Sequence, residues 1–307
     1  MSHRSTLQWA VLVGLALPGP ARAAKEPIII DHRTTDLNKI PQAAIEQARA
    51  KLHIAYGHTS HGSQLTDGMK GLVNFANGGG LGLKLPQNIF AWNAGGKGGA
   101  LDLHDSAMGG DVGSYPDWVN NTRAYLNDPA HRNVNVIVWS WCGQVGGKHA
   151  AKKLVSEYLG PMAQLEKDYP NVTFVYMTGH LDHWDRTNNM AANQAIRDYC
   201  MANNKVLYDF ADIESYDPDG KFHEFASDTC DYYASATGDK LGNWATEWQK
   251  KHVLDRDWYN CPSAHSQPVN ANQKAYAAWW LWARLGGWRG PNVANRTQAE
   301  VTPQNSR

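Results

Sequence analysis

Two hydrophobic periods alternate along this chain. Short runs rich in β-branched and aromatic residues are separated by longer stretches in which apolar residues return at helical spacing. The runs predict strands over residues 52–56, 88–92, 133–141, 172–178 and 205–210; the third, Asn133-Val134-Asn135-Val136-Ile137-Val138-Trp139-Ser140-Trp141, reads as a strand covered on both faces. Helices are predicted over residues 41–50, 64–77, 116–126, 150–169, 188–203 and 270–285. In the second of these Leu65, Met69, Leu72, Val73 and Ala76 share a face, and Gly78-Gly79-Gly80 stops it. Strands alternating with helices imply right-handed βαβ units. The expected architecture is α/β, a three-layer α/β/α sandwich around a parallel five-stranded sheet.

Other stretches lack either period. Residues 102–117, with His104, Asp105, Asp111 and Asp117, read as an irregular acidic loop, and the segment before Pro41 as a polar lead-in. Residues 211–262 break the rhythm and read as an insertion over the sheet's edge, in which Asp217-Pro218-Asp219-Gly220 predicts a β-turn. At the start, His3 and Arg4 precede an apolar run from Leu7 to Leu17, and Ala21-Arg22-Ala23 supplies small residues for cleavage. A signal peptide is therefore expected over residues 1–23, a single domain over 24–290 and a flexible tail over 291–307. Export, secreted or periplasmic, is the expected location.

Composition narrows the partners. Lys plus Arg equals Asp plus Glu at 29 each, which gives no basic face for nucleic acid. The apolar run of the leader is shorter than the roughly 20 residues a bilayer requires, so no membrane partner is expected. Thirteen Trp and thirteen Tyr suit sugar faces as well as cores. No CxxC pair is present among Cys142, Cys200, Cys230 and Cys261, which argues against a zinc ribbon. Topology sets Cys142 and Cys200 at opposite ends of the sheet, so the expected disulfide joins Cys230 to Cys261 within the insertion.

In a parallel sheet the residues just past each strand converge on one edge. Here they are His58, Thr59, Ser60 and His61; Asn93, Gly95 and Gly96; Cys142, Gly143 and Gln144; Gly179, His180, Asp182 and His183. His265, before the last helix, reaches the same edge. A hydroxyl on a strand-to-helix turn, an imidazole from a later loop and amide donors are what acyl transfer needs. The glycine-rich loop 93–99 lacks the spacing of a phosphate-binding loop.

Taken together, Gly57-His58-Thr59-Ser60-His61-Gly62, the glycine block from Asn93 to Gly96, the block from Ser140 to Gln144, and His265 with Asn270 resemble the SGNH/GDSL hydrolase superfamily over residues 52–288. The resemblance implies a flavodoxin-like sandwich and an esterase or deacylase acting on an acylated carbohydrate or similar small-molecule or polysaccharide ester, with no cofactor. It assigns Ser60 as nucleophile, ahead of Thr59 and Ser63, and His265 as base. Ser60, Gly95, Gly96, Asn93 and Gln144 are assigned to the oxyanion hole. The chain departs from the family in three places: His58 or Thr59 replaces the Asp before the Ser, the Asn of the third block is absent with Gln144 the nearest amide, and Pro262 replaces the acid before the His. Asp182, Asp257 or a backbone carbonyl then orients His265. His58, His61, His180 and His183 are expected to line the substrate site, with no metal. Two other readings stand beside this one: a metal-dependent hydrolase using those four histidines, and a non-catalytic glycan-binding protein on the same fold.

Overall fold

Buried runs pair into one parallel sheet in a computed structural model that describes residues 26–291. The expected leader, and the expected tail beyond residue 291, lie outside the described residues. The strands are β1 (Ile28–Ile30), β2 (His53–Gly57), β3 (Trp92–Asn93), β4 (Leu101–Met108), β5 (Val136–Trp139), β6 (Thr173–Met177) and β7 (Val206–Tyr208). They lie in the order β1-β7-β6-β5-β2-β4-β3. The helices are α1 (Gln42–Lys51), α2 (Ser60–Asn77), α3 (Asp117–Asn127), α4 (Val145–Ala150), α5 (Gly160–Asp168), α6 (Arg186–Ala202), α7 (Phe210–Ile213), α8 (Trp244–Lys251) and α9 (Pro268–Gly286).

Side chains alternate between two cores, as the two-residue period of a strand requires. Ile54, Tyr56, Val136, Val138, Val175, Met177 and Tyr208 pack with α1, α2 and α9. Ala55, Ile137, Trp139, Phe174, Tyr176 and Leu207 pack on the opposite face with α3, α5 and α6. Two of the buried phenols on this face bond to backbone carbonyls. Tyr56 donates to the Gly62 carbonyl at 2.9 Å and Tyr208 to the Lys274 carbonyl at 2.7 Å.

The sheet has seven strands, not five, and two differences are instructive. Residues 88–92 are mainly a turn: Asn88 adopts φ 59°, and only Trp92 and Asn93 join the ladder, although Ile89 and Phe90 remain buried. Conversely, the polar stretch from Leu101 to Met108 is a central strand beside β2. Its alternate residues Leu101 and Leu103 are buried, while Asp102 is paired to His53 at 2.7 Å and to His104 at 3.0 Å. Polarity in this strand is matched across the ladder, a feature that hydropathy alone does not report. β1 likewise arises within the polar lead-in and pairs with β7. The helix expected over 150–169 is divided; α4 ends at Ala150, and a π-helical turn over Val155–Leu159 precedes α5.

Residues after α7 form a two-stranded antiparallel sheet, β8 (Asp231–Tyr233) with β9 (Lys240–Asn243), followed by α8. Their small core holds Cys230, Trp244, Ala245, Trp248 and Val269. Cys230 and Cys261 are not bonded to each other; all four cysteines are free thiols. The reason is packing. Cys230 belongs to the small core and lies 3.1 Å from Ser266 Oγ, whereas Cys261 packs against the α2–α9 core and accepts from Asn272 at 3.4 Å.

The path of the chain places the crevice. From β2 it runs out to β3 at the edge, comes back to β4 beside β2, then crosses to β2's other side for β5 and continues to β6 and β7. The winding therefore reverses between β2 and β5, where a doubly wound sheet opens to ligands at its carboxyl edge. Gly57 and Trp139 are register partners, so both strands deliver their loops at one level.

Candidate active site

α2 begins at Ser60, four positions earlier than apolar periodicity suggests, because His61 and Gln64 on its first turns are buried by partners instead of by apolar packing. Gly62 permits the close approach. A Cβ there would lie 2.2 Å from Ser140 Oγ and 2.4 Å from His58 Cβ, so any larger residue lifts the first turn off β5. Thr59 does not cap the helix with its side chain; it donates to Asp111 Oδ2 at 3.0 Å. The amides of Ser60, His61 and Gly62 precede the first intrahelical bond, from the Ser63 N–H to the Thr59 carbonyl at 3.3 Å, and lie at the positive end of the helix dipole.

Three side chains from separate segments, Asp228, His61 and Cys142, form a continuous run of contacts. Asp228 Oδ2 accepts from His61 Nε2 at 3.0 Å. With Nε2 carrying the proton, Nδ1 is the free base, and it faces Cys142 Sγ at 3.6 Å. Ser60 Oγ, exposed at the mouth, is 3.8 Å from the same sulfur. Burial depresses the pKa of His61, and the neighbouring His180 adds to that, while Asp228 opposes it. Burial pushes the Asp228 carboxyl up, but the His61 hydrogen bond and the nearby imidazoles outweigh it and leave the pKa lowered. The pair is thus a neutral imidazole beside an ionised carboxylate, the state a general base requires.

His61 is the middle layer of a stack of three imidazoles. His180 lies on one side with ring centroids 3.8 Å apart and planes within 10°, and His265 lies 4.4 Å away at 17°. His265 holds a left-handed backbone, φ 61°, to do so. His180 Nδ1 donates to the Leu181 carbonyl at 2.6 Å, and its Nε2 is buried without a partner. Ligand atoms of His61, His180 and Asp228 lie within 4.8 Å of one another. Rings that stack nearly parallel direct their in-plane lone pairs side by side, however, not toward one point, and so the three do not surround a common ion as they stand.

A second group flanks the first. His58 directs both ring nitrogens at oxygen acceptors, the Thr59 carbonyl at 3.0 Å and Asp105 Oδ1 at 2.8 Å. Asp105 reaches it because the ladder between β2 and β4 slips: Ala55 pairs with His104 but Gly57 with Met108, which bulges residues 105–107 out of β4. Burial would raise the Asp105 pKa, yet the bond and charge of His58 hold it below the usual carboxylate value.

The expected residues separate into two sets. Ser60, His61, His180 and His265 do meet at the crevice, but His265 stacks on His61 and makes no hydrogen bond to Ser60. Asp182 caps the amides of Trp184 and Asp185 at 2.8 and 3.1 Å and does not orient His265. Asp257 is engaged by Arg256. Asn93, Gly95 and Gly96 lie at the opposite end of the sheet: Asn93 is level with Asp102, which is level with His53 at the start of β2. About 13 Å of strand separates that level from Gly57. Gln144 sits beside the site, but its amide is already spent, accepting from the Cys142 N–H at 3.2 Å and donating to Asp111 at 3.3 Å. His183 turns away to stack on Tyr233 at 3.6 Å. The histidine set expected for a metal is therefore divided among three neighbourhoods.

Pattern reading does not find Asp228, which lies in the aperiodic insertion, and lists Cys142 only as an edge residue. Lys274 does carry a signal, a lone charge within the apolar run of α9. Comparisons with family models, with curated proteins and with solved structures find no match to this chain.

Proposed function

We propose that this protein is an ester hydrolase working through a covalent acyl intermediate, with Cys142 as nucleophile, His61 as general base and Asp228 as its orienting carboxylate. The contact run Asp228–His61–Cys142 carries the reading. His61 Nδ1 takes the thiol proton as sulfur attacks the ester carbonyl, and the first-turn amides of α2 face the developing oxyanion. The alcohol leaves with the proton from His61; water, deprotonated by the same nitrogen, then cleaves the thioester. The other thiols are unsuited to the role: burial pushes Cys230 and Cys261 up to about 12.

The favoured substrate is an acylated carbohydrate or similar ester. Trp184, 91% exposed, stands on the loop that also carries His180 and offers a flat apolar ring of the kind that covers sugar faces. Export, as the leader implies, would bring the enzyme to such polymers.

Ser60 as the nucleophile is the second reading, supported by its exposed place on the first turn of α2 and by the resemblance to SGNH/GDSL hydrolases. One experiment separates the two. Turnover of p-nitrophenyl acetate is measured for wild type, Cys142→Ala and Ser60→Ala, with mass-spectrometric location of iodoacetamide and fluorophosphonate adducts. The thiol reading expects an iodoacetamide adduct on Cys142 and loss of turnover in Cys142→Ala. Full turnover by Cys142→Ala together with a fluorophosphonate adduct on Ser60 would transfer the role to the serine.

A further inference from the structure

α9 is buried around nearly its whole girth, and Lys274 is a charged side chain at its centre with no exposure at all. Its ammonium is 2.6 Å from Glu214 Oε2, which is equally buried, and also donates to Gln64 Oε1. It sits 3.6 Å from the centroid of the Phe210 ring. Removing two charges from water is expensive, and such a pair contributes less to stability than apolar residues of the same volume would. The arrangement of the far ends suggests what the pair does instead.

Each partner of Lys274 reaches a different outer layer of the imidazole stack. Glu214 Oε1 accepts the N–H of Leu181, the residue that follows His180 and whose carbonyl holds His180 Nδ1. Gln64 Nε2 donates to the carbonyl of Ala264, the residue before His265. Gln64 itself is on α2, one turn beyond His61. One ammonium thus ties three segments, those of His61, His180 and His265, to a single point beneath them.

We infer that Lys274 is a positioning residue of this site: through Glu214 and Gln64 it clamps the loops of His180 and His265 against the two faces of His61, keeping that ring dry and directed at Cys142. The inference rests on the hydrolase reading above for its consequence on rate, but the clamp itself can be read without any substrate. The groups facing His61 are Asp228, Cys142, His180 and His265, with Glu214 behind them. If either outer ring is released, water reaches the imidazole, and the midpoint of His61 moves up toward the ordinary value of about 6.5.

The test uses two variants. Gln64→Leu cuts the arm to Ala264 and removes no charge; Lys274→Met removes the ammonium. The Hε1 resonance of His61, assigned with His61→Asn, is followed against pH by NMR, and Cys142 alkylation by iodoacetamide is timed at pH 7. For Gln64→Leu, folded by circular dichroism, the clamp expects the His61 midpoint to rise by half a unit or more and alkylation to slow about threefold or more. Lys274→Met, if folded, should slow alkylation at least about tenfold, with kcat on p-nitrophenyl acetate falling in step and KM within about twofold. A folded Gln64→Leu with the wild-type His61 midpoint and alkylation rate would overturn the clamp, whether or not Lys274→Met folds. Failure of the hydrolase reading looks different: the midpoint and alkylation shifts appear while wild type shows no turnover, or while Cys142→Ala keeps the full turnover of wild type.

Discussion

Replacing Asp228 with Asn tests the centre of the site, because it keeps the shape and removes the charge. On the proposed mechanism His61 becomes an imidazolium in the transition state, and Asp228, 3.0 Å from Nε2, is the carboxylate in contact with it. Two unit charges with centres about 4 Å apart attract by about 4 kcal/mol at an effective dielectric of 20. The Asp228 side chain is 23% exposed, so screening reduces this to about 2 to 3 kcal/mol, a factor of about 30 to 150 in kcat/KM. The same change has a second, independent signature. Asp228 holds the His61 pKa up against burial, so its loss lowers that pKa further. Activity that depends on neutral His61 rises as pH passes its pKa, and the acid limb of the profile should therefore move to lower pH while the plateau falls. The assay is kcat/KM for p-nitrophenyl acetate from pH 4 to 8. An acid limb that moved upward, or a plateau within about threefold of wild type, would refute the assignment of Asp228 as the orienting group.

Other expectations follow from the same geometry. Gly62→Ala, whose new methyl would meet Ser140 Oγ at 2.2 Å, should destabilise by about 1 to 3 kcal/mol in urea unfolding and reduce turnover more than it raises KM. Lys274→Met leaves Glu214 buried and unpaired and should cost about 3 to 5 kcal/mol; Lys274→Met combined with Glu214→Gln should recover part of that in the same assay. Because the native His61 pKa is lowered, the unfolded chain takes up a proton first as pH falls below about 6.5, so stability drops from there downward, and His61→Asn should flatten that part of the curve. Asp105 and Asp228, with lowered native pKa values, give stability that is complete above about pH 4 and disappears on further acidification, visible as a falling urea midpoint. With four free thiols, reductant should leave the melting temperature unchanged, and four thiols should titrate after denaturation.

Alternation of strand and helix is legible in this sequence because β5, β6 and α2 carry clean periods of their own. The edge strand β1 and the polar strand β4 are not, for opposite reasons: the first is only three residues long, and the second satisfies its charges across the ladder. The parallel edge correctly gathers Ser60, His61, Cys142, His180 and His265, since all follow strands or precede α9. It cannot report which ring faces which atom. His265 occupies the place expected of a base yet lies flat on another imidazole, and the carboxylate that serves His61 comes from a loop with no periodicity to reveal it. The glycine loop after β3 is misplaced for a metric reason: β3 pairs only with the beginning of β4, so its loop emerges at the wrong end.

The contacts that make the site join the two halves of the chain. His61 and Asp228 are 167 residues apart, and Gln64 and Lys274 are 210 apart. During synthesis, Cys142 and His61 both exist long before the carboxylate that orients the ring and the ammonium that fixes the stack. A nascent chain therefore carries the thiol and the ring before the groups that hold them in place, and the site is complete only once α9 is present. Because α9 follows every other element among the described residues, a chain truncated before it would lack the anchor of the imidazole stack and, on the proposed reading, should turn over no ester.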